Sequence, residues 1–235
     1  MPFSRFSREY YGAVAGCSDS GLPFRGSERP RNHHGRETLS IHQSFRAFAA
    51  LLYAGLAAGA AGPPAVGGKA PDFELTNLEG KPVRLSEVTT KESVVLIVLR
   101  GYPGYQCPFC SRQVQDFIRN AQSFADAGAR VMIVYPGPGQ AIRERAAEFV
   151  AGKPMPQHFD FLPDPDYAFT NLYGLRWDAP HETAYPATFL IDREGCVFFS
   201  KVVKSHAGRT TAAEVLEALP KPKPARSRPM TSSPG

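Results

Sequence analysis

Apolar and polar positions along the chain fall into two distinct periods, and their alternation sets out the fold. Val94-Val95-Leu96-Ile97-Val98-Leu99 is an unbroken apolar run, the pattern of a strand buried on both faces of a sheet. Past it, Val114, Phe117, Ile118, Ala121, Phe124 and Ala125 recur at helical spacing and predict one helix with a single stripe against that sheet. Arg130-Val131-Met132-Ile133-Val134-Tyr135 is a second apolar strand, stopped by Pro136-Gly137-Pro138-Gly139. Ile142, Ala146, Phe149 and Val150 then line a helix between Gln140 and Ala151. Strand, helix, strand, helix predicts parallel βαβ packing with a right-handed crossover.

The flanks are shorter and differently built. Asn77 to Leu85 reads as a turn and short strand, a small hairpin ahead of the main sheet. Phe159-Asp160-Phe161-Leu162 is a short strand running into the turn Pro163-Asp164-Pro165, and Asp166 to Tyr173 is a short helix ended by Gly174. Tyr185 to Asp192 leads into a strand, and Arg193-Glu194-Gly195 turns it back into Cys196-Val197-Phe198-Phe199, so the second half is expected to be antiparallel. Thr211 with Glu214 three residues on is a capping box. It opens a last helix with Val215, Leu216 and Leu219 inside.

Charge divides the chain into a core and two basic ends. Seven Arg and four acids lie in 1–67, and four Lys/Arg and no acid in 221–235, which leaves sixteen basic against eighteen acidic residues in 68–220. The basic excess is therefore in the ends, and the folded part carries no basic stripe that would suit nucleic acid. Six scattered His form no zinc spacing with the four Cys, so neither a metal nor any other cofactor is expected. Residues 1–67 are expected to be a disordered leader, 68–220 the domain and 221–235 a disordered tail. Within the leader, residues 47–61 carry no charge and follow Arg46, which suits the apolar core of an export signal or weak anchor. An exported or membrane-anchored protein is the expectation, a cytoplasmic one with an Ala/Gly linker the alternative. The membrane enters only if 47–61 is retained.

Chemistry concentrates between the first strand and its helix, in Arg100-Gly101-Tyr102-Pro103-Gly104-Tyr105-Gln106-Cys107-Pro108-Phe109-Cys110. Cys107 and Cys110 straddle the first turn of a helix, where unpaired N–H groups and the positive end of the dipole favour a thiolate. Inert buried thiols or half of a metal knuckle would also show this spacing, but no second Cys/His pair supports a knuckle. Cys196 reads as a small core residue and Cys17 has no role. Arg100 is either a thiolate partner or a polar strand end, and His181 and Glu182 are expected in an exposed loop.

The order of elements, Cys-Pro-Phe-Cys at a strand-to-helix junction and Tyr-Pro-Ala-Thr-Phe-Leu-Ile-Asp-Arg-Glu-Gly resemble the thioredoxin fold. More narrowly, Gly-Lys-Ala-Pro-Asp-Phe-Glu-Leu and Phe-Leu-Pro-Asp-Pro resemble peroxiredoxins of the alkyl hydroperoxide reductase and thiol-specific antioxidant type, over about residues 68–220. The resemblance implies an α/β thioredoxin-like fold, a central mixed β-sheet flanked by helices. It also implies an antioxidant enzyme reducing peroxides, with Cys110 peroxidatic, Cys107 resolving, and a thioredoxin-like external thiol donor. Pro103 and Cys110 fit the family's Pro-x-x-x-Thr-x-x-Cys, with Cys107 in place of the Thr. The family's later Arg would align before Ala187, where this chain has Pro186. Thioredoxin-like disulfide reductases place a proline there, usually cis, facing the Cys pair. Two alternatives follow: exchange with protein disulfides, with Cys107 as nucleophile, and a non-enzymatic redox sensor.

Overall fold

A computed structural model describes residues 62–139 and 141–220; the segment 47–61, the rest of the leader and the tail lie outside the described residues. The main sheet has five strands in the order β5-β4-β3-β6-β7: β3 (Ser93–Val98), β4 (Ala129–Gly137), β5 (Phe159–Pro165), β6 (Ala187–Ile191) and β7 (Val197–Val202). A separate hairpin pairs β1 (Glu74–Thr76) with β2 (Pro82–Arg84), and α1 (Leu85–Thr89), which no periodicity announced, follows directly. Gly67 already joins the sheet through Val197, and the Thr211 hydroxyl accepts the Glu214 N–H at 3.2 Å, closing the expected cap on α6 (Ala212–Ala218).

β3 is the central strand, parallel to β4 on one side and antiparallel to β6 on the other. That position explains its unbroken apolar run. Val95, Ile97 and Leu99 pack with Val131, Ile133 and Tyr135 into the core beneath the helices, while Val94, Leu96 and Val98 pack with Met132, Val134, Leu162 and Phe189 into the core on the opposite face. Each face is sealed by aromatic rings. Phe117 and Phe124 stack at 5.2 Å on the first, and Phe169 and Tyr173 stack at 4.2 Å on the second.

Three local expectations are corrected. The helix after the cysteines is two helices, α2 (Pro108–Arg119) and α3 (Ala121–Asp126), because Asn120 leaves helical geometry at φ −101° and ψ 15° and its side-chain amide donates to the Asp116 carbonyl. The break turns Ala125 outward, so the stripe ends at Phe124. β4 does not stop at Tyr135: β3 accompanies it only to Val134, so Pro136 lies where one flank has no neighbouring strand and its missing N–H disrupts nothing there. β5 runs to Pro165 parallel to β4, leaving only β6 and β7 antiparallel within the sheet. α4 (Ile142–Val150) and α5 (Ala168–Leu172) complete the chain order and match their expected positions.

Candidate active site

The loop from Arg100 to Gln106 carries the chain from the end of β3 to the start of α2, and β4 holds it in place. Tyr102 N donates to the Pro136 carbonyl at 2.9 Å. Gly101 sits at φ +78°, and a Cβ there would meet the Pro136 oxygen at 1.9 Å, so no other residue fits. Tyr135, fully buried on β4, donates its hydroxyl to Gln106 Oε1 at 2.5 Å, and Gln106 Nε2 donates to the Arg145 carbonyl at 2.9 Å. The residue next to Cys107 is thus held from two sides.

Cys107 is the N-cap of α2 and Cys110 lies in its first turn; they are 1% and 0% exposed, and they are the free cysteines of the described residues. The two thiols lie close enough for the ionisation of each to depend on the other. The Cys107 thiol is lowered to about 5, first by the hydrogen bond from Cys110, against the opposing effect of burial, and then by the N–H groups of Cys110 and Phe109 and the charge of Arg209. Cys110 is pushed up by that same hydrogen bond and by its complete burial. One proton shared between two sulfurs thus stays on the deeper one. Burial and the helix start thus favour the thiolate on Cys107.

Arg209 is the residue that sequence reasoning missed. Its Nη2 lies 3.7 Å from Cys110 Sγ, and it comes from the loop before α6, 99 positions away. No spacing in the sequence singles it out. It brings a guanidinium to the pair from a different element than the one where the peroxiredoxin pattern would place an arginine.

Arg100 touches the pair only through its backbone N–H, which favours the ionised form of Cys110. Its side chain, 3% exposed, turns away: Nε donates to Glu182 Oε2 at 2.5 Å, Nη1 to the Tyr105 hydroxyl at 2.5 Å and Nη2 to the His181 carbonyl at 2.6 Å. Glu182 is correspondingly not an exposed loop residue, its side chain being 11% exposed, and its second oxygen meets His206 Nε2 at 2.8 Å. Burial would raise its carboxyl, but the bonds from Arg100 and His206 outweigh burial and hold it below the usual carboxylate range. Arg100 and Glu182 thus fasten the loop before the cysteines to the loop that carries His206 and Arg209.

Pro186 is buried at the start of β6, beside the end of β3 by register, and its carbonyl accepts from Val203 N at 2.8 Å. All described peptide bonds are trans, so the cis geometry implied for Pro186 is corrected: the residue enters the β6–β7 pairing as ordinary extended chain. Pro103 lies half-buried in the bend four residues before Cys107. Cys196 is buried where the Asp192 turn opens β7, away from the pair.

The AhpC/TSA family model matches residues 66–200. Peroxiredoxin Bcp of Bacillus subtilis (strain 168) is 30% identical over 162 residues, spanning 66% of this chain and 94% of that protein. The thiol-disulfide oxidoreductase ResA of Geobacillus thermodenitrificans (strain NG80-2) is 28% identical over 160 residues, 68% of this chain and 79% of that one. Among solved structures, peroxidoxin BcpB from Mycobacterium tuberculosis superposes with a TM-score of 0.52 at 24% identity, covering 64% of this chain and 93% of that one, which shows the shared thioredoxin-like fold. With the family's pattern running through more than half the sequence and two free thiols at the start of its helix, the chain belongs to the AhpC/TSA family and is a thiol-dependent oxidoreductase.

Proposed function

We propose that the protein reduces peroxides through a dithiol–disulfide cycle of Cys107 and Cys110 in which Cys107 attacks first. The observation that carries this reading is the place of Cys107 at the N-cap of α2, with Cys110 fully buried in the first turn, an arrangement that favours the thiolate on Cys107. Cys107 S⁻ forms a bond to one peroxide oxygen as the O–O bond breaks; the other oxygen leaves with a proton as water or an alcohol. The Cys110 sulfur then attacks the sulfenic acid on Cys107, water departs, and a Cys107–Cys110 disulfide remains for an external thiol to reduce. This order reverses the roles that the family spacing suggests.

A second reading keeps Cys110 as the peroxidatic sulfur, favoured by its contact with Arg209 and its spacing from Pro103. Rapid mixing of single mutants with hydrogen peroxide separates the two. In the first reading Cys110→Ser reacts once and stops as a sulfenic acid, whereas Cys107→Ser, whose remaining sulfur is fully buried, reacts no faster than a free thiol at pH 7. The opposite asymmetry would overturn the first reading and establish the second. If neither mutant reacts faster than a free thiol, while Cys110→Ser traps a mixed disulfide with a protein substrate, the activity is disulfide exchange.

Supporting organisation comes from sequence alone. The charge division argues for a folded unit at 68–220, and the uncharged run 47–61 argues for export or anchoring. N-terminal sequencing of protein from its source, with a start between Ala58 and Gly68, is the result expected. A chain retaining Met1 to Ser44 would favour the cytoplasm.

A further inference from the structure

Beside the thiol pair is a cleft of about 280 Å³ between the first turns of α2 and the loop 206–211. Phe109, Arg112 and Gln113 form one wall, His206 and Arg209 the other. Arg209 belongs both to this cleft and to the pair, since its guanidinium lies against Cys110 Sγ. A ligand in the cleft is therefore one guanidinium away from a reacting sulfur.

The charge of the cleft is uncompensated. Arg112 lies over the Phe109 ring at 4.7 Å and Arg209 at 5.8 Å, and neither pairs with a carboxylate among the described residues. Arg209 Nε is buried without an acceptor, and Oε1 of Gln113, a side chain of the same wall that is only 8% exposed, is buried without a donor. Asp116, the acid at the rim, is already committed: it pairs with Arg119 at 3.6 Å and accepts the Ala212 N–H at 2.7 Å. His206 is committed to Glu182. Two guanidiniums over an aromatic ring, one with an Nε that lacks an acceptor, make a site for a small organic carboxylate, and the orphaned Gln113 Oε1 is an acceptor for an N–H of the same ligand.

Exchange chemistry points to the same side of the pair. An incoming thiolate displaces the sulfur that leaves more easily, which is the one of lower pKa. In a Cys107–Cys110 disulfide the N-terminal end of α2 favours Cys107 as the departing thiolate, so the sulfur struck is Cys110, the one that Arg209 covers on the cleft side.

We propose that this cleft seats an external low-molecular-weight thiol carrying carboxylates, which reduces the disulfide by attacking Cys110. The inference rests on the dithiol–disulfide reading of the pair. As the carboxylate engages Arg112 and Arg209, the Arg209 guanidinium is drawn off the sulfur it covers. The thiolate RS⁻ bonds to Cys110 Sγ while the Sγ–Sγ bond breaks and Cys107 departs as thiolate. A second RS⁻ attacks the sulfur of the bound R group, RSSR leaves, and Cys110 takes up a proton.

The test starts from full-length protein oxidised with diamide, which makes the disulfide without using peroxide. Recovery of the thiolate ultraviolet band is followed with glutathione, 2-mercaptoethanol and cysteamine, which are anionic, neutral and cationic. Each rate is divided by the rate of the same thiol with a small uncharged disulfide. The expected glutathione to 2-mercaptoethanol ratio is about tenfold at low salt, the worth of one charge-assisted contact, with cysteamine slowest. Arg112→Gln and high salt should each bring the ratio close to one. A ratio near one for the natural protein, or one that Arg112→Gln leaves unchanged, overturns the proposal. If diamide forms the disulfide and the ratio holds while peroxide forms none, the cleft stands and the peroxidase reading falls. If diamide itself forms no Cys107–Cys110 bond, both fall.

Discussion

Replacing Glu182 with Ala tests whether the loop before the cysteines and the loop carrying Arg209 are held by one buried carboxylate. The Arg100 side chain is 3% exposed, and the substitution leaves its guanidinium buried without a counter-charge. Removing one partner of a buried pair costs about 3–5 kcal/mol. Here Nη1 and Nη2 keep the Tyr105 hydroxyl and the His181 carbonyl, so only Nε is orphaned and the lower end, about 3 kcal/mol, is expected. For a domain of this size that is a fall in Tm of roughly 6–12 °C. Burial acts to raise the Glu182 carboxyl, but its partners win and lower it, so its contribution is fully present above the unfolded value near 4.5 and is lost as pH falls through the lower folded value. Urea denaturation of both proteins should therefore show the full difference at pH 7 and a shrinking one below about pH 4.5. The double variant Arg100→Met/Glu182→Leu, which removes both charges, should recover most of the loss. A loss under about 1 kcal/mol at pH 7, or a difference that stays constant down to acid pH, would refute the reasoning.

Further outcomes follow from the same geometry. Alkylation of Cys107 by iodoacetamide should rise with pH around a midpoint of about 5 and be flat by neutrality, and a midpoint near that of a free thiol would contradict the thiolate assignment. Arg209→Met removes a cation from beside the pair, so that midpoint should move up, read from the same alkylation profile; no movement would show that Arg209 does not act on the sulfurs. Gly101→Ala should cost more than about 3 kcal/mol, since it adds strain at φ +78° to a 1.9 Å overlap with backbone; urea midpoints measure it, and a loss below about 1 kcal/mol would mean that the loop readjusts freely. Asp164→Ala strands three donors, the N–H groups of Phe169 and Thr170 and the Thr170 hydroxyl, and should cost about 2–3 kcal/mol by the same measurement.

What the sequence determined by itself was whatever depends on neighbours along the chain. The apolar run of β3, the Cys-Pro-Phe-Cys at a helix start and the Thr211–Glu214 cap are all encoded within a few residues, and each lies where its pattern places it. The thiol pair was legible for the same reason, because a helix N-terminus is a local structure with its own electrostatics. Which sulfur keeps the proton was not, since that depends on how deeply each one is buried and on Arg209, 99 positions from Cys110. Glu182 reads as an exposed loop acid until the fold seats it between Arg100 and His206, a contact spanning 82 positions on one side and 24 on the other. The break at Asn120 likewise escaped a stripe that continues through it, because helical period records which residues are apolar but not where a polar side chain takes up a backbone carbonyl of the preceding turn. Side chains distant in sequence meet only after strands and helices have packed. The distances that set the chemistry of this site are therefore properties of the tertiary structure.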